Sequence, residues 1–310
     1  MSGSFSPPER CRLCGSNNLR ARGAKRGKFR PRDFHFYECR SCSFLFVEPV
    51  VGPEIYDDAY YRGKGADPLV DYESEYTNYA ATPRNYEFLD LYRLARIHLG
   101  KNAAALAEEP IRWLDFGCGA GGLLKFLRDR ETVPLRDQER KIEASGFDVG
   151  SYAEKLGTVD NLKIWNRGEL EILPVGYFQI VTCIEVVEHL PEPLPVFELL
   201  ARLLAPEGLL LLTTGNLSSP AAKLMGVGFP YCVPEIHVSY FTPLSLKYVY
   251  DRVGLRPVKA QYLDGLRFKF LKNVAPFLPL GLAQRLAGSK ILLRLLDFFY
   301  GVSAMPSAIK

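Results

Sequence analysis

Short apolar runs recur along the chain, and each ends at a small, acidic or glycine-rich turn. Trp113–Phe116 reads as a strand running into Gly117-Cys118-Gly119-Ala120-Gly121-Gly122, and the apolar run Leu123–Leu127 reads as the helix that follows. A second short run, Gly146-Phe147, ends at Asp148. The polar stretch Gly168–Pro174 feeds a further apolar strand over Phe178–Ile184, which closes on Glu185-Val186-Val187-Glu188-His189-Leu190. Leu203–Gly208 marks the turn before another strand. Upstream, Phe44–Pro49 reads as a short strand, and residues 84–107 carry helical periodicity into the first core strand. Downstream, Pro243–Val253 predicts a helix capped by Thr242 and ended by Gly254. Lys290–Tyr300 predicts a helix with few polar positions, and the charged run Arg128–Lys141 reads as a loop insertion.

The glycine-rich turn lets backbone N–H groups approach an anionic ligand group closely, and Asp148 ends its strand where a carboxylate can grip ribose hydroxyls. A nucleotide-like cofactor follows. Gly117, Gly119 and Gly122 satisfy G-x-G-x-x-G, a pattern that is unspecific alone. Asp115 extends it to D-x-G-x-G-x-G. Together with the Gly168–Pro174 turn and the E-x-x-E-H cluster, this series resembles the class I methyltransferases that use S-adenosylmethionine. Around Glu185–His189 it resembles their ubiquinone-type O-methyltransferase branch.

That resemblance implies an α/β fold: a doubly wound, seven-stranded class I methyltransferase sheet. It implies that Gly117, Gly119 and Gly121 hold the methionine part of the cofactor and that Asp115 orients its amino group. Asp148 would take both ribose hydroxyls, Glu169 the adenine amino group with the Leu170 amide beside it, and Glu185 closes the cofactor set. Leu203–Gly208 matches a turn that normally ends Pro-Gly-Gly, so Glu207 is a departure. The spacing from Gly121 to Asp148 exceeds the usual roughly 20 residues, which the Arg128–Lys141 insertion explains.

Methyl transfer is an in-line displacement at carbon, so the protein must align the acceptor and, for a hydroxyl, remove its proton. Histidine titrates near neutrality and suits that role. Of four histidines, His35 lies in the N-terminal hairpin and His98 on a helix. His189 follows the fourth strand at the ligand-binding edge, with Glu188 beside it. His237 lies in an aromatic, proline-rich loop, where it can serve as base or tie the loop down. Glu185, Glu188 and His189 match residues associated in the ubiquinone-type enzymes with a divalent metal. A metal would want additional oxygen ligands, and the reading preferred here is metal-free.

Cys11-x-x-Cys14 and Cys39-x-x-Cys42 form two knuckles separated by 24 residues. Two such knuckles complete a tetrahedral, closed and therefore structural zinc site in a small N-terminal zinc ribbon. Residues 1–43 hold ten Lys/Arg against three acids, a surplus larger than the whole-chain +4. A basic ribbon suits a phosphate-bearing partner or is simply a solvated loop. At 310 residues, 47% hydrophobic and 24% charged, the chain can build one large core and a small appendage. No apolar run approaches the roughly 20 residues that span a bilayer, and Met1–Glu9 lacks a signal pattern, so a cytoplasmic protein with reduced cysteines is expected.

The expected organisation is a ribbon over 1–51, a helical linker or lid over 52–110, the cofactor-binding domain over 111–265 and an apolar, basic tail over 266–310. The linker tyrosines Tyr56, Tyr60, Tyr61, Tyr72, Tyr76 and Tyr79 can line an acceptor slot or join ribbon to core. The tail can pack on the core or a second subunit, or make peripheral membrane contact. The expected function is O- or C-methylation of a carbohydrate or similar polyhydroxylated small molecule, such as a glycolipid acceptor. The rivals are a zinc-ribbon RNA base methyltransferase, for which nucleic acid would be the partner, and a non-catalytic adaptor.

Overall fold

The structure, a computed structural model, describes residues 6–52, 55, 60, 72–82, 84–101, 110–135, 138–259, 289 and 307–309. Tyr56, Tyr61, the 102–107 end of the linker helix and the tail helix Lys290–Tyr300 lie outside the described residues. In chain order the strands are β1 (Leu19–Arg26), β2 (Asp33–Cys39), β3 (Leu45–Glu48), β4 (Ile111–Phe116), β5 (Thr132–Leu135), β6 (Gln138–Phe147), β7 (Lys163–Ile164), β8 (Phe178–Ile184), β9 (Leu204–Thr213), β10 (Ser239–Tyr240), β11 (Arg256–Lys259) and β12 (Ser307–Ile309).

Among the described residues the large sheet is mixed and has eight strands, where seven were expected. Its order is β11-β12-β9-β8-β4-β6-β5, with β7 also on β6. The parallel set is β7, β6, β4, β8 and β9. The added strand comes from the charged run 128–141, which is not a loop: it ends the helix Gly122–Arg128, forms β5 and turns back antiparallel into β6. β4 lies between β6 and β8, so the chain leaves it in opposite directions along the sheet. Ligands of open α/β sheets bind beyond the strand ends at such a switch. The glycine turn, Asp148 and Glu185 follow β4, β6 and β8 at that edge.

The strands are apolar because they are buried on both faces. Trp113, Leu114, Ile180, Val181, Leu210 and Leu211 are all at most 1% exposed. The helix Gly122–Arg128 is buried along its length up to Arg128 and starts at Gly121, whose φ is 75°. Lys125 on it is buried but paired, with Nζ 2.8 Å from the Tyr76 carbonyl and 3.3 Å from Asp160. The helix Pro243–Val253 has the expected ends: Thr242 caps it through Ser245, and Gly254 ends it at φ 75°.

The ribbon draws on residues beyond 1–51. Its sheet has the order β1-β2-β3-β10, and β10 comes from residues far along the chain. On β2, Phe34 and Phe36 point into one apolar cluster with Val47, Ala221, Ala222, Ile236 and Tyr240. Cys11, Cys39, Cys42, Phe44 and Phe46 share another with Phe197, Leu200, Phe241 and Tyr250 of the large domain. Among the described residues, no helix is long and apolar enough to cross a membrane.

Candidate functional site

Asp115 is the last polar position of β4, and its carboxyl is buried. Burial pushes it up to about 7, against the pull of the Thr182 hydroxyl, which donates to Oδ1 at 2.8 Å, and of the Arg84 guanidinium. Gly117 and Gly119 take φ of 82° and 51°, and a Cβ on either would collide with a neighbour. At Gly117 it would sit 2.2 Å from Val186 Cγ2, and at Gly119 2.4 Å from Tyr72 Cε1. Asp148 accepts from the Gly119 N–H at 2.8 Å through Oδ2 and from the Gly150 N–H at 2.6 Å through Oδ1. The carboxylate assigned to ribose therefore also fixes the glycine turn.

Two residues that sequence reasoning missed complete this end. Glu75, on the helix Tyr72–Asn78, accepts from the Gly122 N–H at 3.2 Å, at the start of the buried helix. Arg84, which opens the helix Arg84–Lys101, places its Nε 3.3 Å from Glu75 Oε2. Asp115, Glu75 and Asp148 thus act on one region with Arg84 as the cation among them. Three carboxylates and one guanidinium suit a ligand with a carboxylate and two cationic centres, which is the charge pattern of the methionine end of S-adenosylmethionine. The residues fit that cofactor.

At the adenine end, Glu169 is exposed and its Oε2 accepts from the Asn166 N–H at 2.7 Å, closing a capping box on the helix Arg167–Ile172. The Leu170 amide donates to the Asn166 carbonyl at 3.1 Å, so it is already bonded within that helix. The structure brings neither into the Asp115–Asp148 cluster.

Beyond β8, Glu185 takes a left-handed φ of 54°, a strained conformation for a non-glycine residue. It is exposed, and the next residue, Val186, packs against Gly117. Glu188 is fully buried, accepting from Thr214 Oγ1 at 3.0 Å and from the Tyr231 hydroxyl at 2.7 Å. Burial raises its pKa, and these hydrogen bonds oppose the rise. Tyr231 and Thr214 are further residues that sequence reasoning missed: nothing in their local pattern announces a partner on another strand end.

His189 Nδ1 lies 2.9 Å from the Ile236 carbonyl and His237 Nδ1 2.8 Å from the Tyr231 carbonyl. A carbonyl only accepts, so each Nδ1 carries a proton. Burial, and then the neighbouring His189, lower His237 to about 3. Ligand atoms of Glu188, His189 and His237 lie within 4.8 Å of one another, so the grouped acceptor-side donors include His237 and not Glu185. His98 is buried against the Glu207 carbonyl at 2.8 Å, and His35 lies on β2, both away from this cluster.

The four sulfurs of Cys11, Cys14, Cys39 and Cys42 lie within 4.8 Å of one another, with closest pairs at 3.5 and 3.7 Å. A tetrahedral zinc with bonds near 2.3 Å requires sulfurs about 3.8 Å apart, so the cluster fits that ion. Among the basic ribbon residues, Arg20 and Arg22 both meet Glu38, and Arg26 meets Asp33.

A mixed sheet carrying this glycine turn and acidic set at its parallel strand ends is a class I, Rossmann-like S-adenosylmethionine-dependent methyltransferase fold, here with a candidate four-cysteine zinc-binding cluster. The chain belongs to the methyltransferase domain family, which matches residues 88–260. It is 31% identical over 149 residues to a ubiquinone biosynthesis O-methyltransferase of Xanthomonas campestris, covering 46% of this chain and 58% of that protein. The chain thus spans under two thirds of that relative's length. A protein of the same description from Haemophilus ducreyi is 31% identical over 177 residues, covering 52% of this chain and 72% of its own. Among solved structures, a SAM dependent methyltransferase from Archaeoglobus fulgidus is similar at 17% identity and a TM-score of 0.41, covering 70% of this chain and 92% of that one. The [4+2]-cyclase SpnF is similar at 16% identity and a TM-score of 0.43, covering 71% and 81%.

Proposed function

We propose that the chain is an S-adenosylmethionine-dependent methyltransferase that O- or C-methylates a carbohydrate or similar polyhydroxylated small molecule. The observation that carries the reading is the convergence of Asp115, Asp148 and Glu75 with Arg84 beside a turn of left-handed glycines. Bound S-adenosylmethionine supplies a methyl group on positively charged sulfur. Arg84 would hold its carboxylate, Asp115 and Glu75 its amino group, and Asp148 its ribose.

On the acceptor side, His189 is the proton acceptor. Its Nδ1 donates to a backbone carbonyl, so Nε2 of the half-buried ring is the nitrogen that would take the proton of a substrate hydroxyl. His237, held low by burial, is the poorer base and serves to orient the pocket wall. Glu188, His189 and His237 could hold a divalent ion, but both Glu188 oxygens already accept hydrogen bonds, and the reading proposed here needs no metal for the proton transfer.

The test is transfer of labelled methyl from S-adenosylmethionine into fractionated cell extract. Label in nucleotide-sugar or glycolipid fractions, lost with His189→Ala, supports the reading. Nuclease-sensitive label overturns the substrate class, and no transfer at all favours the adaptor.

A further inference from the structure

The cysteine cluster and the acceptor-side histidines are tied together through one peptide. Val238, between His237 and Ser239, donates its N–H to the Glu188 carbonyl at 2.8 Å and accepts from the Val47 N–H at 3.1 Å. Val47 lies on β3, which leaves the Cys42 knuckle directly. A second tie runs beside the first. Thr242 Oγ1 donates to the carbonyl of Ser43, the residue after Cys42, at 3.2 Å, and Ser43 holds a left-handed φ of 59°. A third comes from Ser239, which pairs with Phe46 across the β10–β3 ladder and donates its hydroxyl to the Leu190 carbonyl at 2.5 Å. Phe44 packs on Phe241 with ring centroids 5.2 Å apart.

β10 is two residues long, far below the length at which a strand holds its own position. Its place is borrowed from β3, whose start is set by the knuckle that carries Cys39 and Cys42. The cofactor end shares apolar packing with the ribbon, through Leu114, Phe116 and Phe147 in the cluster of Cys11, Cys39 and Cys42, but its hydrogen bonds run elsewhere. Among the described residues, the hydrogen bonds of Asp115, Gly117, Gly119, Gly122 and Asp148 all go to the large domain or to Glu75.

We infer that Val238 and Thr242 are positioning residues that carry the geometry of the Cys11/Cys14/Cys39/Cys42 cluster to His237, Glu188 and His189. Zinc in the ribbon thereby shapes the acceptor side of the site through hydrogen bonds that the cofactor side does not share. The inference rests on the methyltransferase reading above only for what the two sides bind. Any zinc-bearing ribbon held this way would move the same two imidazoles.

The test reads imidazole position and not turnover. In protein shown to carry zinc, the ¹⁵N-correlated signals of His189 and His237 are recorded at fixed pH, with and without chelator. The affinity for S-adenosylhomocysteine is measured alongside. Zinc loss is expected to shift both imidazole signals while that affinity stays within about threefold. Thr242→Val, with zinc retained, should shift the His237 signal in the same direction, and Thr242→Ser, which keeps both the hydroxyl and the helix cap, should restore it. Imidazole signals unmoved by zinc loss or by Thr242→Val would overturn the inference. So would a parallel loss of S-adenosylhomocysteine affinity, because the ribbon would then support the whole fold. Wild-type protein that fails to bind S-adenosylhomocysteine at all would sink the methyltransferase reading instead, while the imidazole shifts still decide the positioning claim.

Discussion

His189 and His237 meet edge to face with ring centroids 5.0 Å apart, and each has its Nδ1 on a backbone carbonyl. Each ring is therefore oriented by its Nδ1–H, and burial, which lowers His237 to about 3, separates their roles. Replacing His189 by Ala should lower turnover by about 10²–10⁴, the usual range for a lost general base, with S-adenosylhomocysteine affinity unchanged. His237→Asn should raise the acceptor KM and leave the acid limb of the pH–rate profile in place, because a group held near 3 does not titrate there. An acid limb that moves with His237→Asn and not with His189→Ala would exchange the two assignments.

Asp115 should link cofactor affinity to pH. Its carboxyl is raised from 3.8 to about 7 in the folded chain, chiefly by burial. The sign follows from the protonated form being the favoured one. Its contribution to stability is full below 3.8 and is lost as pH rises to about 7. A ligand ammonium favours the ionised form, so binding near pH 6 should release a proton, and affinity should rise with pH up to about 7 and then level. Titration calorimetry in buffers of different ionisation enthalpy measures that proton. Asp115→Asn should abolish the pH dependence and weaken binding. Persistence of the proton release in that variant would assign it to another group.

Gly119→Ala should be costly for two separable reasons. A left-handed φ of 51° costs an alanine about 1–2 kcal/mol, and its Cβ would meet Tyr72 at 2.4 Å. Adding Tyr72→Ala should recover the collision and leave the strain, so denaturant unfolding of the double variant should show part of the loss restored. Full additivity of the two substitutions would mean that the ring does not press on the turn.

Much of this architecture was legible along the chain. The strand–glycine–helix order, the acidic strand ends and both ends of the helix Pro243–Val253 rest on local patterns, and the structure has them where those patterns lie. What was hidden depends on pairing between distant segments. β5 contains Pro134 and sits in a charged run, features that argue against a strand, yet the antiparallel β5–β6 pairing accommodates both. β10 is too short to show any period and becomes a strand only because β3 is beside it. Glu75 reads as one acid in a polar run. Its meaning comes from the Gly122 amide and from Arg84, which lie in two other helices.

Glu207, which departs from the usual glycine, carries a left-handed φ of 57°. Its carbonyl accepts from His98, a contact that any residue there would keep, and among the described residues its side chain meets Arg256 at 3.8 Å. Glu207→Gly relieves the strain, loses a weak exposed pair and adds chain entropy to the unfolded state. The net should be a gain of about 0.5–1 kcal/mol, read as a small rise in Tm. A fall in Tm would mean that the Arg256 contact outweighs the strain.

The central claim is that the Asp115–Gly117–Gly119–Asp148 turn, closed by Glu75 and Arg84, receives S-adenosylmethionine. Calorimetric titration of the full chain with S-adenosylhomocysteine tests it most directly. The account predicts one site per chain, weakened about tenfold or more in Asp148→Ala and in Arg84→Ala, with both variants folded. Saturable binding that neither substitution weakens, or no binding by the wild-type chain, would contradict it.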